Sequence, residues 1–377
     1  MTFEELGVGP ELVRALAKLE ITEPTPIQTA ALPVLAAGKD AQLLAQTGSG
    51  KTLAYLLPLI ARLDLTKAAT QLLVVAPTHE LAIQIQRQCT DLAQHSGLPL
   101  RALLLIGATA IDRQVEKLKK KPHVAVGSSG RIRDLIGMGK LKAHTVRCLV
   151  VDEADRMLAT ENLTALKEIV KAVPRDRQLV FVGATQTAEA TQAAAALAPA
   201  LVQLAPAPAA GSTVEHLYLV CTDREKVDLV RKLWHALKPE RAIVFVHRNE
   251  RADVVANKLA YHHVEVSDLH AALDKRERQQ AMDRFRSGEA PVLVASDVAA
   301  RGLDVKGVTH VINLDVPTES AAYLHRAGRT GRAGATGVVI TLMNEQEVRL
   351  VRRYEKELGI AMARVTLREG ALSRAPA

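Results

Sequence analysis

The chain has only three cysteines, Cys89, Cys148 and Cys221, in 377 residues. They are scattered, which excludes a cysteine metal site or a paired redox motif and predicts buried free thiols in a reducing cytoplasm. The N-terminus lacks a basic flank and an apolar signal segment, and no uninterrupted apolar run is long enough to cross a membrane. We therefore expect a cytoplasmic protein that is neither exported nor membrane-bound.

Length and charge set broad limits on the fold and the partners. A chain of 377 residues is longer than one ordinary domain and suits two α/β domains, each with its own core. Lys and Arg number 49 against 41 Asp and Glu, giving a formal net charge of +8. This balance is compatible with a polyanionic partner but does not require one.

Short apolar runs alternate with helical patterns along the chain, as in doubly wound, mostly parallel sheets. The pattern is interrupted once, by a segment rich in proline and alanine without periodicity, as is typical of a linker between domains. The predicted organisation is a first domain over 1–205, a linker over 206–212, a second domain over 213–362 and a short tail over 363–377. The tail is not strongly basic, so we expect no dedicated appendage for a polyanionic partner there.

The segment 45–52, AQTGSGKT, predicts a phosphate-binding loop. It follows a short apolar strand and begins a helix, where backbone N–H groups and the helix dipole attract anions. Gly48 and Gly50 let the backbone turn inward, Lys51 can reach the β- and γ-phosphates, and the Thr52 hydroxyl can face Mg²⁺. A Gly-Lys-Thr tripeptide alone could be an ordinary helix cap, so the prediction depends on a matching metal-binding group.

Asp152 and Glu153 supply that group about a hundred residues later. Asp152 ends an apolar strand, where a carboxylate can hold a Mg²⁺-bound water beside a triphosphate. Glu153 is placed to orient or deprotonate the attacking water. The acidic cluster could instead be a solvated turn or a helix cap, but its pairing with the upstream loop favours an NTPase.

The second half has no phosphate-binding loop, but it has an arginine-rich, glycine-punctuated segment over 325–332. Arg329 and Arg332 are suitable cation donors to a γ-phosphate, which predicts arginine fingers supplied by the second domain. Closure of the two domains would then link hydrolysis to a conformational switch. Considered alone, such a cluster is more often a solvated basic patch.

These motifs, in this order, resemble the DEAD-box ATP-dependent RNA helicases of superfamily two over nearly the whole chain. The resemblance implies two tandem RecA-like domains, with ATP and Mg²⁺ as cofactors. It implies that Gln28 reads the adenine edge and that Asp304 touches the ribose. The implied nucleotide set is Phe3, Thr25, Gln28, Thr47, Gly48, Ser49, Gly50, Lys51, Thr52, Gly302 and Asp304, with Thr52 and Asp152 at the metal, partly through water.

The resemblance also implies an RNA path across both domains, with contacts mainly to phosphates and 2′-hydroxyls and little sequence preference. A bend in the bound strand would explain local separation of short duplexes. The implied RNA-binding residues are Pro77, Thr78, Gly107, Gly130, Arg131, Arg248, Lys275, Arg278 and Ser296. The implied coupling residues, which link RNA to ATP, are Asp155, Gly183, Ala184, Thr185, His325 and Arg326.

Departures from the family pattern concentrate at the RNA-contact and coupling motifs. His79 replaces an arginine, exchanging a permanent charge for a side chain that is largely neutral at pH 7. Gly183 replaces a serine and loses a hydroxyl that links to the position of Asp155. The other departures are Ile21 for an aromatic, Ala108 for a glycine, Ser128-Ser129 for Thr-Pro and Lys275 for a glutamine.

Two functions remain open at this point. The first is an RNA-dependent ATPase that unwinds short duplexes or remodels RNA–protein complexes. The second is an ATP-gated RNA clamp or assembly factor with weak unwinding, which the changes at His79 and Gly183 favour modestly. A DNA-directed motor is disfavoured by the glutamine motif and the Asp-Glu-Ala-Asp sequence. We expect a monomer, with ribosomal precursors or RNA-processing proteins as further partners.

Overall fold

The computed structural model places the chain in two compact units, Met1–Ala209 and Ala210–Ala377. The boundary falls within the predicted linker. The structure describes all residues except Thr47, Ala159, 185–187, 207–213, Arg248, 271–272, 298–304, Lys306, 332–334, Glu369 and 375–377, together with the side chains of Thr160, Glu161, Ala188, Asn249, Glu250 and Lys275.

The first unit is a parallel sheet with helices on both faces. Its strands pair in the order β3-β4-β2-β5-β6-β1-β7, and every pairing is parallel. The strands are β1 (Ala41–Leu44), β2 (Leu72–Ala76), β3 (Ala102–Leu105), β4 (Val124–Ser128), β5 (Cys148–Asp152), β6 (Gln178–Gly183) and β7 (Val202–Leu204). The helices are α1 (Pro10–Lys18), α2 (Pro26–Ala36), α3 (Lys51–Ala61), α4 (His79–Ser96), α5 (Ile111–Leu118), α6 (Ser129–Gly137), α7 (Ala154–Met157), α8 (Thr160–Ala172) and α9 (Ala188–Leu197), with a 3₁₀ turn at Ala143–Thr145.

Strand β2 shows why these sequences form a sheet covered on both faces. All five of its residues are buried. Val74 faces the core that contains α3 and α4, whereas Leu73 and Val75 face the opposite core, formed with α6 and α8. A strand buried on both faces reads as a continuous apolar run, which is the pattern that predicted these strands.

The second unit is a mostly parallel sheet in the order β10-β11-β9-β12-β13-β8-β14-β15. Its strands are β8 (Val214–Val220), β9 (Ala242–Val246), β10 (Val266–Leu269), β11 (Val292–Ser296), β12 (His310–Asn313), β13 (Gly337–Met343), β14 (Met362–Arg368) and β15 (Ala371–Arg374). Its helices are α10 (Lys226–Leu237), α11 (Asn249–Tyr261), α12 (Lys275–Ser287), α13 (Ser320–Ala327) and α14 (Arg349–Leu358).

The segment predicted as a tail contributes to this sheet. Strand β14 pairs in parallel with β8 and in antiparallel orientation with β15. Val365 is buried, and Leu367 and Leu372 pack against the same core. These apolar residues alternate with Arg and Thr, so the short strands have a period of two that is easily taken for an unpatterned segment.

The three cysteines are free thiols, as predicted, but Cys221 is half-buried rather than buried. Cys89 and Cys148 are buried, and burial raises the pKa of Cys89 to about 12 and the pKa of Cys221 to about 11. Among the residues that the structure describes, no helix combines the length and apolar character needed to cross a membrane.

We expect the folded state to lose stability as the pH falls below about 6.5, because of His216 in β8. Burial lowers the pKa of His216 from its usual 6.5 to about 4, and its Nδ1 lies 2.8 Å from the Tyr323 hydroxyl. The unfolded chain binds a proton near pH 6.5 but the folded chain does so only near pH 4, so stability declines across this window. At about 1.4 kcal/mol per pKa unit, reduced for partial exposure, the loss is about 2 kcal/mol.

Urea unfolding of the second unit at pH 7 and pH 4.5 would measure this loss. His216→Asn keeps a polar group near Nδ1 but does not titrate, so it should decrease the loss by about 2 kcal/mol. Equal pH dependence in the two proteins would contradict the assignment to His216.

Candidate functional site

The predicted nucleotide groups meet at one edge of the first sheet. Lys51 and Thr52 follow β1, Asp152 ends β5, and Gly183 ends β6. Strand β6 lies between the other two, with Leu44 opposite Gly183 and Asp152 opposite Val182. Carboxyl ends of parallel strands share an edge, which is where α/β sheets bind ligands. The structure therefore brings the phosphate loop and the acidic pair to the two sides of one strand.

The loop after β1 needs glycine at its last position. Gly50 has a φ of +87° and caps the N-terminus of α3. A Cβ added there would lie 2.5 Å from Nε2 of Gln28, so a side chain at this position would have to displace the Gln28 amide. Gly48 also has a positive φ, +83°. Residues 48–50 therefore form a turn that places backbone N–H groups at the start of a helix.

The Lys51 ammonium lies against its own loop. Its Nζ donates to the carbonyl oxygens of Ala45, at 2.6 Å, and Gln46, at 2.8 Å. The ammonium is therefore held at the mouth of the turn that the helix dipole makes favourable for anions. Thr47, predicted to be part of this loop, lies outside the described residues.

The segment predicted to recognise adenine forms hydrogen bonds that hold the phosphate loop in place. Gln28 Oε1 accepts from the backbone N–H of Thr25 at 2.9 Å, and Gln28 Nε2 donates to the Gly50 carbonyl at 3.1 Å. The Thr25 hydroxyl donates to the Ser49 carbonyl at 2.7 Å. The position of the phosphate loop thus depends on this segment.

The predicted contacts of Gln28 and Phe3 with the adenine base stay predictions. Gln28 is 2% exposed, and both ends of its amide have partners in the protein. Phe3 is also 2% exposed and packs within the core of the first unit. Gln28 supports the loop through its bond to the Gly50 carbonyl, whereas Phe3 contributes to the core.

Asp152 is a buried carboxylate, 5% exposed, with both oxygens engaged. Its Oδ2 accepts from the Tyr55 hydroxyl at 2.9 Å, and its Oδ1 accepts from the Glu153 backbone N–H at 2.9 Å. Burial, opposed by the Tyr55 hydrogen bond, raises the pKa of Asp152 to about 6, and burial also raises the pKa of Tyr55 well above its usual range. A buried carboxylate at this edge is stabilised by a nearby cation, and Lys51 acts in that direction.

Sequence analysis missed Tyr55. The residue lies one helical turn after Lys51 in α3, on the side of the helix that faces the sheet. Its spacing from Lys51 was the only available signal, because an i, i+4 pair shares one helix face. Tyr55 connects the phosphate-loop helix directly to the acidic strand.

Glu153 follows in an unusual backbone conformation. Its φ of +47° and ψ of 52° are left-handed, which costs a non-glycine residue about 1–2 kcal/mol. Its carboxylate lies 3.9 Å from an Arg156 nitrogen, and the side chain is 23% exposed. Backbone strain of this kind is found at functional sites, where surrounding structure fixes a side chain in place. Asp155, two residues on, lies in α7.

The predicted RNA-binding residues of the first unit follow the other strands at the same edge. Thr78 follows β2, Gly107 follows β3, and Arg131 follows β4. The Thr78 hydroxyl accepts from the Leu81 N–H at 3.2 Å and so caps α4. Arg131 donates to the carbonyls of Thr109, at 2.9 Å, and Gly107, at 3.4 Å, which holds the loop after β3. Pro77 precedes Thr78, and Gly130 precedes Arg131.

In the second unit, Arg326 of α13 is the best-defined of the predicted residues. Nε and Nη2 of its 2%-exposed side chain donate to the Asp297 carboxylate, and Nη1 donates to the Asp315 carbonyl at 2.6 Å and to Asn313 at 3.1 Å. Its guanidinium carbon lies 5.1 Å from the ring centre of Phe245. Arg326 therefore joins the strand ends of this unit to α13.

The other predicted residues of this unit have more varied positions. Ser296 ends β11, is 3% exposed, and its hydroxyl has no hydrogen-bond partner in the described part of the chain. Arg278 lies in the first turn of α12. Arg329 is 8% exposed, and its Nε donates to the His325 carbonyl at 3.3 Å. Arg248, Gly302, Asp304, Arg332, Thr185 of the first unit and the Lys275 side chain lie outside the described residues.

The chain is similar to known proteins over nearly all its length. Residues 25–193 match the family model of DEAD/DEAH box helicases, and residues 225–334 match that of the helicase conserved C-terminal domain. The DEAD-box ATP-dependent RNA helicase CshC of Bacillus cereus is 41% identical over 363 residues, covering 96% of this chain and 92% of the relative. The probable ATP-dependent RNA helicase YfmL of Bacillus subtilis is 40% identical, covering 93% of each.

Solved structures agree with these relatives. The S. cerevisiae Dbp5 structure bound to RNA and ADP BeF3 superimposes with a TM-score of 0.86 at 30% identity, covering 97% of this chain and 95% of Dbp5. Mss116p bound to single-stranded RNA and AMP-PNP has a TM-score of 0.84 at 22% identity, covering 98% of this chain and 80% of Mss116p, which supports the fold. The predicted pair of RecA-like domains is confirmed.

Proposed function

Because the chain belongs to the DEAD-box family of ATP-dependent RNA helicases, we propose that it uses ATP hydrolysis to separate short RNA duplexes locally or to remodel RNA–protein complexes. One observation carries this proposal. The phosphate loop after β1 and the acidic pair at the end of β5 flank a single strand, and the residues predicted to bind RNA follow the adjoining strands β2, β4 and β3 at the same edge.

The groups at this edge of the sheet support distinct roles in ATP hydrolysis. Backbone N–H groups of residues 48–50 and the Lys51 ammonium would bind the β- and γ-phosphates. Glu153, fixed by its left-handed backbone, would orient the attacking water and accept its proton. We also expect Arg329 and Arg332 to stabilise the charge on the transferring phosphoryl group, and this role stays a prediction.

The first unit offers suitable oxygen groups for Mg²⁺. Asp152 is a buried carboxylate beside the phosphate loop, and the Thr52 hydroxyl lies in the first turn of α3. Hard oxygen donors of this kind match Mg²⁺, which retains several waters when bound with a triphosphate. Asp152 would hold the ion partly through water, and each of its oxygens keeps a second lone pair beside the hydrogen bond that it accepts. When bound, Mg²⁺ would neutralise charge on the phosphates.

RNA recognition would depend on the backbone of the strand. The loops after β2, β3 and β4 present backbone groups and hydroxyls, which suit phosphate and 2′-hydroxyl contacts without base selection. Binding should therefore tolerate sequence changes and weaken with salt. A cytoplasmic location, a monomeric state, and partners such as ribosomal precursors or RNA-processing proteins stay predictions.

Steady-state ATP hydrolysis at low salt, with and without mixed RNA, tests the proposal. We expect strong stimulation by RNA and little by DNA of the same sequence, because 2′-hydroxyls are part of the recognised surface. Hydrolysis without any response to RNA, or an equal response to DNA, would contradict an RNA-dependent ATPase.

An ATP-gated clamp is the second candidate, and Gly183 favours it. This residue connects to the phosphate loop only through its backbone, whose carbonyl accepts from the Ala45 N–H at 3.2 Å. It has no hydroxyl to link the end of β6 to Asp155. A clamp would hold RNA longer when ATP is added, whereas a helicase would release the strands of a short duplex faster.

Removal of the Tyr55 hydroxyl should impair ATP use without unfolding the protein. Tyr55→Phe takes one hydrogen bond from the buried Asp152 carboxylate, which costs about 1.5–3 kcal/mol at an ionised group. We expect kcat/KM for ATP to fall about tenfold and the Mg²⁺ concentration for half-maximal activity to rise. Tyr261→Phe, at an 80%-exposed tyrosine, is the matched control. Unchanged Mg²⁺ dependence in Tyr55→Phe would contradict a positioning role.

A further inference from the structure

Three metal-ligating side chains meet in the second unit, at the carboxyl end of β10. Asp268 lies in β10, His270 follows this strand directly, and Asp253 lies in α11. Nε2 of His270 is 3.1 Å from a carboxylate oxygen of Asp253 and 3.2 Å from one of Asp268. One ligand atom from each of the three residues lies within 4.8 Å of the others.

Local structure positions these groups. Asp268 and His270 are two residues apart on an extended segment, so their side chains point to the same face. Helix α11 packs on β10, which brings Asp253 to that face. His270 is 7% exposed, whereas the side chains of Asp253 and Asp268 are 52% and 37% exposed. The imidazole is therefore the buried member of the cluster, and the two carboxylates are accessible to solvent.

The two carboxylates of this cluster have no Lys or Arg partner among the described residues. Both carboxylates, of Asp253 and Asp268, face the same imidazole nitrogen. Nδ1 of His270 is buried without a hydrogen-bond partner among the described residues. Nε2 carries at most one hydrogen, so the two carboxylates compete for a single donor position.

The distances suit a transition-metal ion. Nitrogen and oxygen ligands bind Zn²⁺ at about 2.0–2.2 Å, so ligand atoms 3.1 and 3.2 Å apart subtend about 95–100° at the ion. Such angles lie between octahedral and tetrahedral geometry. One imidazole with two carboxylates favours Zn²⁺ or a similar first-row divalent ion over Mg²⁺, which prefers oxygen ligands alone.

We propose that Asp253, Asp268 and His270 bind a divalent transition-metal ion of the Zn²⁺ type. The ion would complete its coordination with water, because three protein ligands leave at least one open position. It would join α11 to the edge strand β10 and so stabilise the second unit. None of the three ligands is among the ATP and RNA residues assigned above.

A Zn²⁺ titration of the full-length protein against a chromogenic chelator, with excess Mg²⁺ present, tests this site. Asp253→Asn keeps the size of a half-exposed side chain and removes one charged ligand, so the fold should be retained. We expect the affinity for one Zn²⁺ to fall about 100-fold, the upper end of the loss that follows removal of a group supporting a metal ligand. His235→Ala, at an exposed histidine in α10, is the matched control and should bind like the parent.

Cobalt provides a second, spectroscopic measurement. Co²⁺ added to the parent protein should give visible absorption bands that weaken in Asp253→Asn and disappear in His270→Ala. Equal Zn²⁺ affinity in the parent and Asp253→Asn would overturn the proposal. So would a stability difference between them that is the same with and without Zn²⁺, since the cluster would then be an ion-pair contact only.

Discussion

Glu153→Gln should reduce the rate of ATP hydrolysis about 10³-fold while leaving ATP binding almost unchanged. The amide cannot accept a proton from water, and general-base catalysis contributes about 10²–10⁴-fold to such reactions. The side chain is only 23% exposed and its backbone is held in a left-handed turn, so a substitution of equal size should not move the turn. We therefore expect ATP to be bound and retained, with RNA trapped in a long-lived complex.

Single-turnover hydrolysis and the lifetime of a labelled RNA complex would measure the two effects separately. Glu189→Gln, at an exposed position in α9, is the matched control. Normal turnover in Glu153→Gln would exclude Glu153 as the group that activates water. Loss of ATP binding together with turnover would indicate a structural role for this residue instead.

Lys51→Ala should lower kcat/KM for ATP by about 10²–10³-fold, mainly by weakening triphosphate binding. Loss of one preorganised donor to a charged oxygen has an effect of this size. Lys51 also donates to the carbonyls of Ala45 and Gln46, so the alanine variant removes two contacts within the loop. The remaining glycine turn keeps its backbone N–H groups, and weak binding of nucleotide should persist.

Equilibrium binding of a fluorescent ATP analogue, alongside thermal unfolding, would separate affinity from stability. Lys39→Ala replaces an exposed lysine two residues before β1 and serves as the control. ATP affinity equal to that of the parent would contradict the assignment of Lys51 to the phosphates.

The sequence predicted the phosphate loop and the acidic pair because their chemistry requires neighbouring residues. Gly48, Gly50 and Lys51 lie in one turn. Asp152 and Glu153 are adjacent residues in a second turn, after β5. Parallel strands buried on both faces leave an equally local signal, a run of apolar residues. These features could be read without knowledge of distant contacts.

Features that depend on distant contacts could not be read in this way. The hydrogen bond from Tyr55 to Asp152 joins residues 97 positions apart. The burial of Gln28 beneath Gly50 depends on how α2 packs, and nothing in the residues near Gln28 indicates it. The grouping of Asp253 with Asp268 and His270 likewise requires a helix to pack on an edge strand. The hairpin at the end of the chain was missed because its alternation is short and partly charged.

The strand order also has a consequence for synthesis of the protein on the ribosome. Strands β3, β4, β2 and β5 are neighbours and are all made once the chain has reached Asp152. Strand β1 is made first but pairs only with β6 and β7 among the described strands. A nascent chain can thus assemble the part of the sheet assigned to RNA while β1 still lacks neighbours. The ability to bind nucleotide should appear only after Gln178–Gly183 has left the ribosome and paired with β1.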